Sequence, residues 1–227
     1  MIESEQTYTV DTHTVAMNPG HISVEPFRWL RHRPLWPIIW TSLFLTSLWL
    51  TLTGHWGYGI LATLFLAINW FYWRRLKEQF LVGCANPAKI INIKPIRIAV
   101  YTDLRCDYSV PKCPTIKIIE TKLPTPQSGT NKIGDKILTV SLYSGQLGKD
   151  RWLSFDPIPA RQVSKNQTKI DALKSELEDE WAMLDKWLSK VPDPTQKGLY
   201  AFDQGNDIPR GETQDPPEKP KSPWVKN

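Results

Sequence analysis

The side chains that could do chemistry are unevenly placed along this chain. Its four histidines are His13, His21, His32 and His55. Residues 84–227 therefore hold no imidazole and cannot assemble a Ser–His–Asp or Cys–His pair. They do hold carboxylates. Asp103 and Asp107 fall in one loop, with Asp135 and Asp156 at other strand ends. A carboxylate pair there could perform acid–base work. Aspartates are also common turn residues that bond their own backbone, and turns are the favoured reading. Cys106 and Cys113 have six residues between them and Cys84 is a third thiol. Three ligands fall short of a closed zinc site, so free thiols in a reducing compartment are expected. Gly145-Gln146-Leu147-Gly148-Lys149-Asp150 lacks the first glycine and the Ser or Thr of a phosphate loop and reads as a hairpin turn. No alternation of aromatic and basic residues suggests a nucleic-acid platform. No catalytic residue, cofactor site or metal site is expected.

The elements that place these residues are divided by one apolar stretch. Residues 34–73 contain no Asp, Glu, Lys or Arg. The stretch breaks at Thr53-Gly54-His55-Trp56-Gly57 into two runs, 35–52 and 56–73. At ~1.5 Å per residue each run spans roughly 27 Å as a helix, close to the ~30 Å bilayer core. Both are apolar on nearly every face, unlike a soluble helix. The expectation is a two-helix transmembrane hairpin. Arg28, Arg31 and Arg33 precede it, Arg74, Arg75 and Lys77 follow it, and its loop has no cation. The positive-inside rule then puts both termini in the cytoplasm. Trp36, Trp40, Trp70 and Trp73 form the inner aromatic belt and Trp56 marks the outer turn, with Arg74 and Arg75 completing the anchor.

Around the hairpin, residues 1–33 read as a polar N-terminal tail ending in a basic, aromatic juxtamembrane segment, and 74–83 as a helical extension ended by Gly83. Short alternating runs at 89–93, 96–102, 115–121, 136–143 and 151–155, separated by Pro and Gly turns, make 84–160 a small cytoplasmic antiparallel β-barrel or sandwich. Residues 166–191 read as one long amphipathic helix, because Ile170, Leu173, Leu177, Trp181, Leu184, Leu188 and Val191 recur at helical spacing. Asn166 or Thr168 could cap it. Its stripe could cover the chain's own domain, dimerise, or bind another protein; Leu173, Leu177, Trp181 and Leu184 are the candidate partner face. Residues 192–227 read as a disordered tail with one apolar cluster, Leu199-Tyr200-Ala201-Phe202. The net charge is +5, with 11 Lys/Arg against 6 Asp/Glu in 84–160 and 4 against 6 in 166–191. A mildly basic domain beside a bilayer is attracted to anionic headgroups.

The pieces Gly83-Cys84-Ala85-Asn86-Pro87-Ala88, Tyr101-Thr102-Asp103 and Phe155-Asp156-Pro157 carry a resemblance. Over residues 83–160 the chain resembles an uncharacterised bacterial and cyanobacterial membrane-anchored family, described only as a domain of unknown function. Asn86, Pro87, Tyr101, Thr102, Asp103, Phe155, Asp156 and Pro157 are the motif positions. The resemblance implies a membrane-anchored bacterial protein and carries over no catalytic residue; with the hairpin this gives a multi-pass protein of a bacterial inner or thylakoid membrane as the expectation. The layout is also similar to NfeD-class membrane proteins, an analogy of architecture alone. The expected function is a non-enzymatic membrane adaptor or scaffold with the lipid bilayer and a protein as partners. The alternatives are an accessory subunit of a larger membrane complex, and a membrane-bound enzyme using Asp103 and Asp156.

Overall fold

The computed structural model describes residues 7–8, 18–106, 111–125, 129–145, 151–203 and 206–212, with residues 7–8, 203 and 206–212 described by backbone alone. Most of the N-terminal tail, Asp107, the turn at 146–150 and the tail beyond 212 lie outside the described residues. In chain order the elements are β1 (Thr7–Tyr8), α1 (Pro26–His32), α2 (Leu35–Leu52), α3 (Tyr58–Val82), β2 (Cys84–Ile93), β3 (Ile96–Asp103), β4 (Pro114–Glu120), β5 (Lys136–Gly145), β6 (Ser154–Pro159), a 3-10 turn at Ala160–Gln162, α4 (Gln167–Glu176), α5 (Glu178–Leu188), β7 (Gly198–Asp203) and β8 (Asn206–Glu212).

Helices α2 and α3 lie antiparallel. Asn69 Nδ2 donates to Thr41 Oγ1 at 2.8 Å, and the Trp40 and Phe65 rings meet at 6.2 Å. The expected pair of membrane spans is nevertheless overturned. Among the described residues only Leu35–Leu52 is long and apolar enough to cross a bilayer. Helix α3 is one 25-residue helix that runs on through Arg74, Arg75, Lys77 and Glu78. Its uncharged part is short and is diluted by Tyr58, Asn69, Trp70, Tyr72 and Trp73, amphipathic groups that favour an interface. The extension over 74–83 is helical to Val82, with Gly83 as its cap. Leu76 and Phe80, one helical turn apart, are buried in the same core as the sheet.

Among the described residues eight strands form one antiparallel sheet in the order β1-β5-β2-β3-β4-β7-β8, with β6 also paired to β5. Alternation along each strand sends residues to two faces. Ala99, Tyr101, Ile116, Ile118, Leu138 and Val140 face the helices. Ile98, Val100, Ile137, Phe155 and Leu199 face the other way, into a second cluster. That second cluster is closed by curvature. β4 and β6 are separated in the sheet by β3, β2 and β5, yet Lys117 Nζ on β4 donates to Ser154 Oγ at 3.2 Å and to the Phe155 carbonyl. The Trp152 amide likewise reaches the Leu104 carbonyl at 2.8 Å. The sheet is thus a half-barrel with open edges, rather than the closed barrel or two-sheet sandwich expected.

The single long C-terminal helix is also corrected. Asn166 Oδ1 accepts from the Lys169 amide at 3.0 Å and starts α4. The helix breaks at Leu177, where Trp181 Nε1 bridges back to the Lys174 carbonyl at 3.1 Å. Glu178, Asp179 and Glu180 then open α5, where carboxylates suit the positive end of the helix dipole. The disordered tail is overturned over 198–212. β7 pairs with β4, and β8 with β7. Leu199, Tyr200 and Phe202 are buried, and the Phe202 ring lies 4.9 Å from Trp187. Part of the N-terminal tail is equally structural. Residues 18–22 cross the junction of α3 and β2, with the Gly20 amide on the Gly83 carbonyl at 2.9 Å, the Ile22 amide on the Phe80 carbonyl at 2.9 Å, and Ile22 buried.

Candidate functional site

The polar side chains that the strands bring together lie inside the curl. Thr139, Ser141 and Tyr143 occupy alternate positions of β5, on the same face as Ile137. Asn86 of β2 and Thr102 of β3 meet them. Asn86 Nδ2 donates to Ser141 Oγ at 2.8 Å and lies 3.3 Å from Tyr143 Oη. Tyr143 Oη and Thr102 Oγ1 are 2.5 Å apart. Thr139 Oγ1 donates to the Asn86 carbonyl at 3.0 Å. Cys84 Sγ points at Asn86 Oδ1 at 3.5 Å.

Burial sets the chemistry of this network. It pushes the Tyr143 phenol well above its ordinary range, and the neighbouring Cys84 adds to the rise. It also raises the Cys84 thiol, against an opposing hydrogen bond from Tyr143. Both groups therefore stay protonated near neutral pH, so neither is a ready base or nucleophile. The arrangement fixes three strands through satisfied polar groups. Tyr143→Phe is expected to cost about 1–2 kcal/mol by leaving Thr102 and Asn86 a partner short. A thermal melt of the detergent-solubilised chain reads this, and an unchanged midpoint would show that the hydroxyl contributes nothing.

Lys117 has a similar role. Burial lowers its pKa, with Asp156 opposing the shift. Its ammonium stands 5.4 Å over the Phe155 ring centroid and closes the curl.

The motif positions scatter by strand alternation. Asn86 and Thr102 join the network. Tyr101 turns to the helix-covered face, where burial, then Asp103 and Glu180, push its phenol up to about 12. Asp103 Oδ1 caps the following loop, accepting from the Arg105 amide at 3.2 Å and the Cys113 amide at 2.9 Å, and its other oxygen pairs with Arg105 at 3.0 Å. Asp156 is exposed on β6, opposite Leu142. Phe155 is buried inside the curl, and Pro87 and Pro157 are buried strand residues opposite Leu138 and Ser141. The two carboxylates of the enzyme reading serve a loop and the solvent. Among the described residues no group of His, Cys, Asp and Glu has metal-site geometry.

The candidate partner face is largely occupied by the chain itself. Leu177, Trp181 and Leu184 are buried against the sheet, and Lys89 on β2 pairs with Asp185 of α5. Half-buried Leu173 borders an opening that buried Leu177 also lines. This opening is a cleft of about 410 Å³ between residues 18–21 and α4, with Asn18, His21, Lys169, Glu176 and Leu177 among its walls. This cleft could not be read from sequence, because no periodicity joins residue 18 to residue 176. Of the expected anchor residues, Trp36, Trp56 and Trp70 are strongly exposed, Trp40 stacks on Trp36 at 6.3 Å, and Trp73 packs against the core cluster. Arg74 lies 5.4 Å over Trp70 and pairs with Glu78, while Arg75 is half-buried.

No family model and no curated protein matches the chain. Among solved structures it is similar to a "putative membrane protein" from Corynebacterium diphtheriae, with 24% identity and a TM-score of 0.41, over 47% of this chain and 89% of that one. A likeness of that depth carries no argument about function.

Proposed function

We propose that this chain is a membrane-associated, non-enzymatic scaffold in which α2 inserts into the bilayer and the curled sheet is held beside it to meet a protein partner. One observation carries the reading. Only 11% of the Leu35–Leu52 stretch is buried against the rest of the chain, whereas the sheet buries apolar side chains on both faces. Leu45, Leu48, Trp49 and Leu52 are all exposed. A patch of that kind on a folded protein marks contact with a partner or a bilayer, and a helix of this length and composition fits a bilayer.

The sheet stands beside the start of α2. Trp29 of α1 meets Phe80 edge-on at 6.2 Å and donates its Nε1–H to Tyr72 Oη at 2.6 Å. Arg28, Arg31 and Arg33 flank that same end and favour its cytoplasmic placement. With the α5 stripe occupied, the cleft beside α4 is a concave surface open to a partner segment.

Alkaline carbonate washing of membranes holding the full chain tests the reading. The chain should stay in the pellet, and Leu45→Asp with Trp49→Asp should move it to the supernatant with the sheet's circular dichroism retained. Release of the unmodified chain by carbonate would overturn the proposal.

A further inference from the structure

We propose that the block formed by α1, the 3-10 turn and Lys122 is a binding site for the phosphate of an anionic lipid headgroup, an inference that rests on the membrane-associated reading above. Two sets of hydrogen bonds build the block. Arg28 Nη1 donates to the Arg161 and Ser164 carbonyls at 2.8 and 3.1 Å. Gln162 Nε2, from the same turn, donates to the Lys122 carbonyl at 2.7 Å and to Thr121 Oγ1 at 2.9 Å. Three segments distant in sequence are thereby locked together, and they hold Arg28, Arg31, His32 and Lys122 within one another's electrostatic reach.

Like charges held in one place repel unless an anion joins them. Glu25, an acid at the start of α1, is already engaged by the Lys165 amide at 2.6 Å and by the Lys165 ammonium at 3.9 Å. The positive field of the block is felt by His32, whose pKa is lowered by burial and then by Arg31, Arg28 and Lys122. Arg31 and Lys122 are exposed, so their charges face outward. Position selects a lipid as the source of the phosphate. Only Arg33 and Pro34 separate α1 from α2, which sets the block at headgroup depth. Phe27, on the same short helix, is 88% exposed, and an aromatic ring in that place suits the interface. Each cation facing an anionic surface is worth roughly fivefold in binding.

Native mass spectrometry of the detergent-solubilised full chain, with phosphatidylglycerol or phosphatidylcholine added, reads the site. The unmodified chain should retain phosphatidylglycerol roughly 25-fold better than phosphatidylcholine, about fivefold for each of the two outward cations. Arg31→Gln with Lys122→Gln should abolish that preference. Arg75→Gln with Lys77→Gln, which removes the same charge from the ordinary flank of α3, should keep it. Equal retention of the two lipids, or equal losses in the two variants, would overturn the site in favour of general electrostatics. Displacement of phosphatidylglycerol by millimolar inorganic phosphate would overturn the lipid assignment in favour of a free anion. Carbonate release of the unmodified chain would instead strike at the membrane reading itself, so the two failures are separable.

Discussion

Phe80→Ala should lower the stability of the sheet by about 3–5 kcal/mol, the range for deleting a fully buried aromatic side chain. For a chain of this size that is a fall of roughly 6–20 °C in the melting midpoint. Phe80 is completely buried. It stands in the core with Leu76 of its own helix, Trp29 of α1 and Val140 of β5, and its carbonyl accepts the Ile22 amide. Its side chain is thus where the N-terminal segment, the end of α3 and the helix-covered face of the sheet meet. Removing it opens a cavity lined by elements that cannot all close in, because α3 is also held along α2. Phe80→Leu keeps most of the volume and should cost only about 1 kcal/mol. Tryptophan fluorescence during a thermal ramp in detergent reports the midpoint, since Trp29 and Trp181 share the core. A drop under about 2 °C would mean that the end of α3 is not part of that core. If α2 anchors the chain as proposed, carbonate resistance should survive the substitution, because the exposed apolar surface of α2 does not depend on how well the sheet is packed.

The parts of this fold legible in the sequence are those set by local period. β3 and β4 show their alternation openly, because Ile98 and Val100 serve one core while Ala99 and Tyr101 serve the other. Asn166 announces the start of α4 by being a short polar residue before a helical stripe. The break at Leu177 is hidden because that residue stays on the apolar stripe and both halves pack on the same sheet. The tail hid β7 for a different reason. A four-residue apolar cluster among prolines becomes a strand only through pairing with β4, some eighty residues earlier, and no local pattern encodes that partner. The same holds for Ile22. The inner polar network had a usable signal: Thr139, Ser141 and Tyr143 recur with period two on the side that also carries Ile137. Polar residues on an inward face imply partners, but Asn86 and Thr102 become those partners only once the strand register is known. The second span failed on composition. Tyr, Trp and Asn in α3 count as uncharged but are not hydrocarbon-like.

Gly83→Ala is expected to cost about 3 kcal/mol, the upper part of the range for overpacking a core, or roughly 6–12 °C in midpoint. The backbone at Gly83 is extended, with φ −63° and ψ 152°, so any residue could adopt it. What the site lacks is space. A Cβ there would fall inside contact with the Gln79 carbonyl, 2.9 Å from Val140 Cγ1 and 3.1 Å from the Ser141 carbonyl. Relief is blocked from the other side, since Gly20 crosses here and its own added Cβ would lie 2.9 Å from Val140 Cγ2. Two glycines thus grip Val140 from adjacent segments, and this close approach lets α3 pass directly into β2. The account predicts coupling between the sites. Val140→Ala removes the methyls that the new Cβ would strike, so the double variant Gly83→Ala, Val140→Ala should be more stable than the two single losses combined, by about 1 kcal/mol or more. Four melting curves complete the cycle. If the two effects simply add, the clash at Val140 is not what makes glycine necessary, and the carbonyls of Gln79 and Ser141 would have to carry the whole penalty.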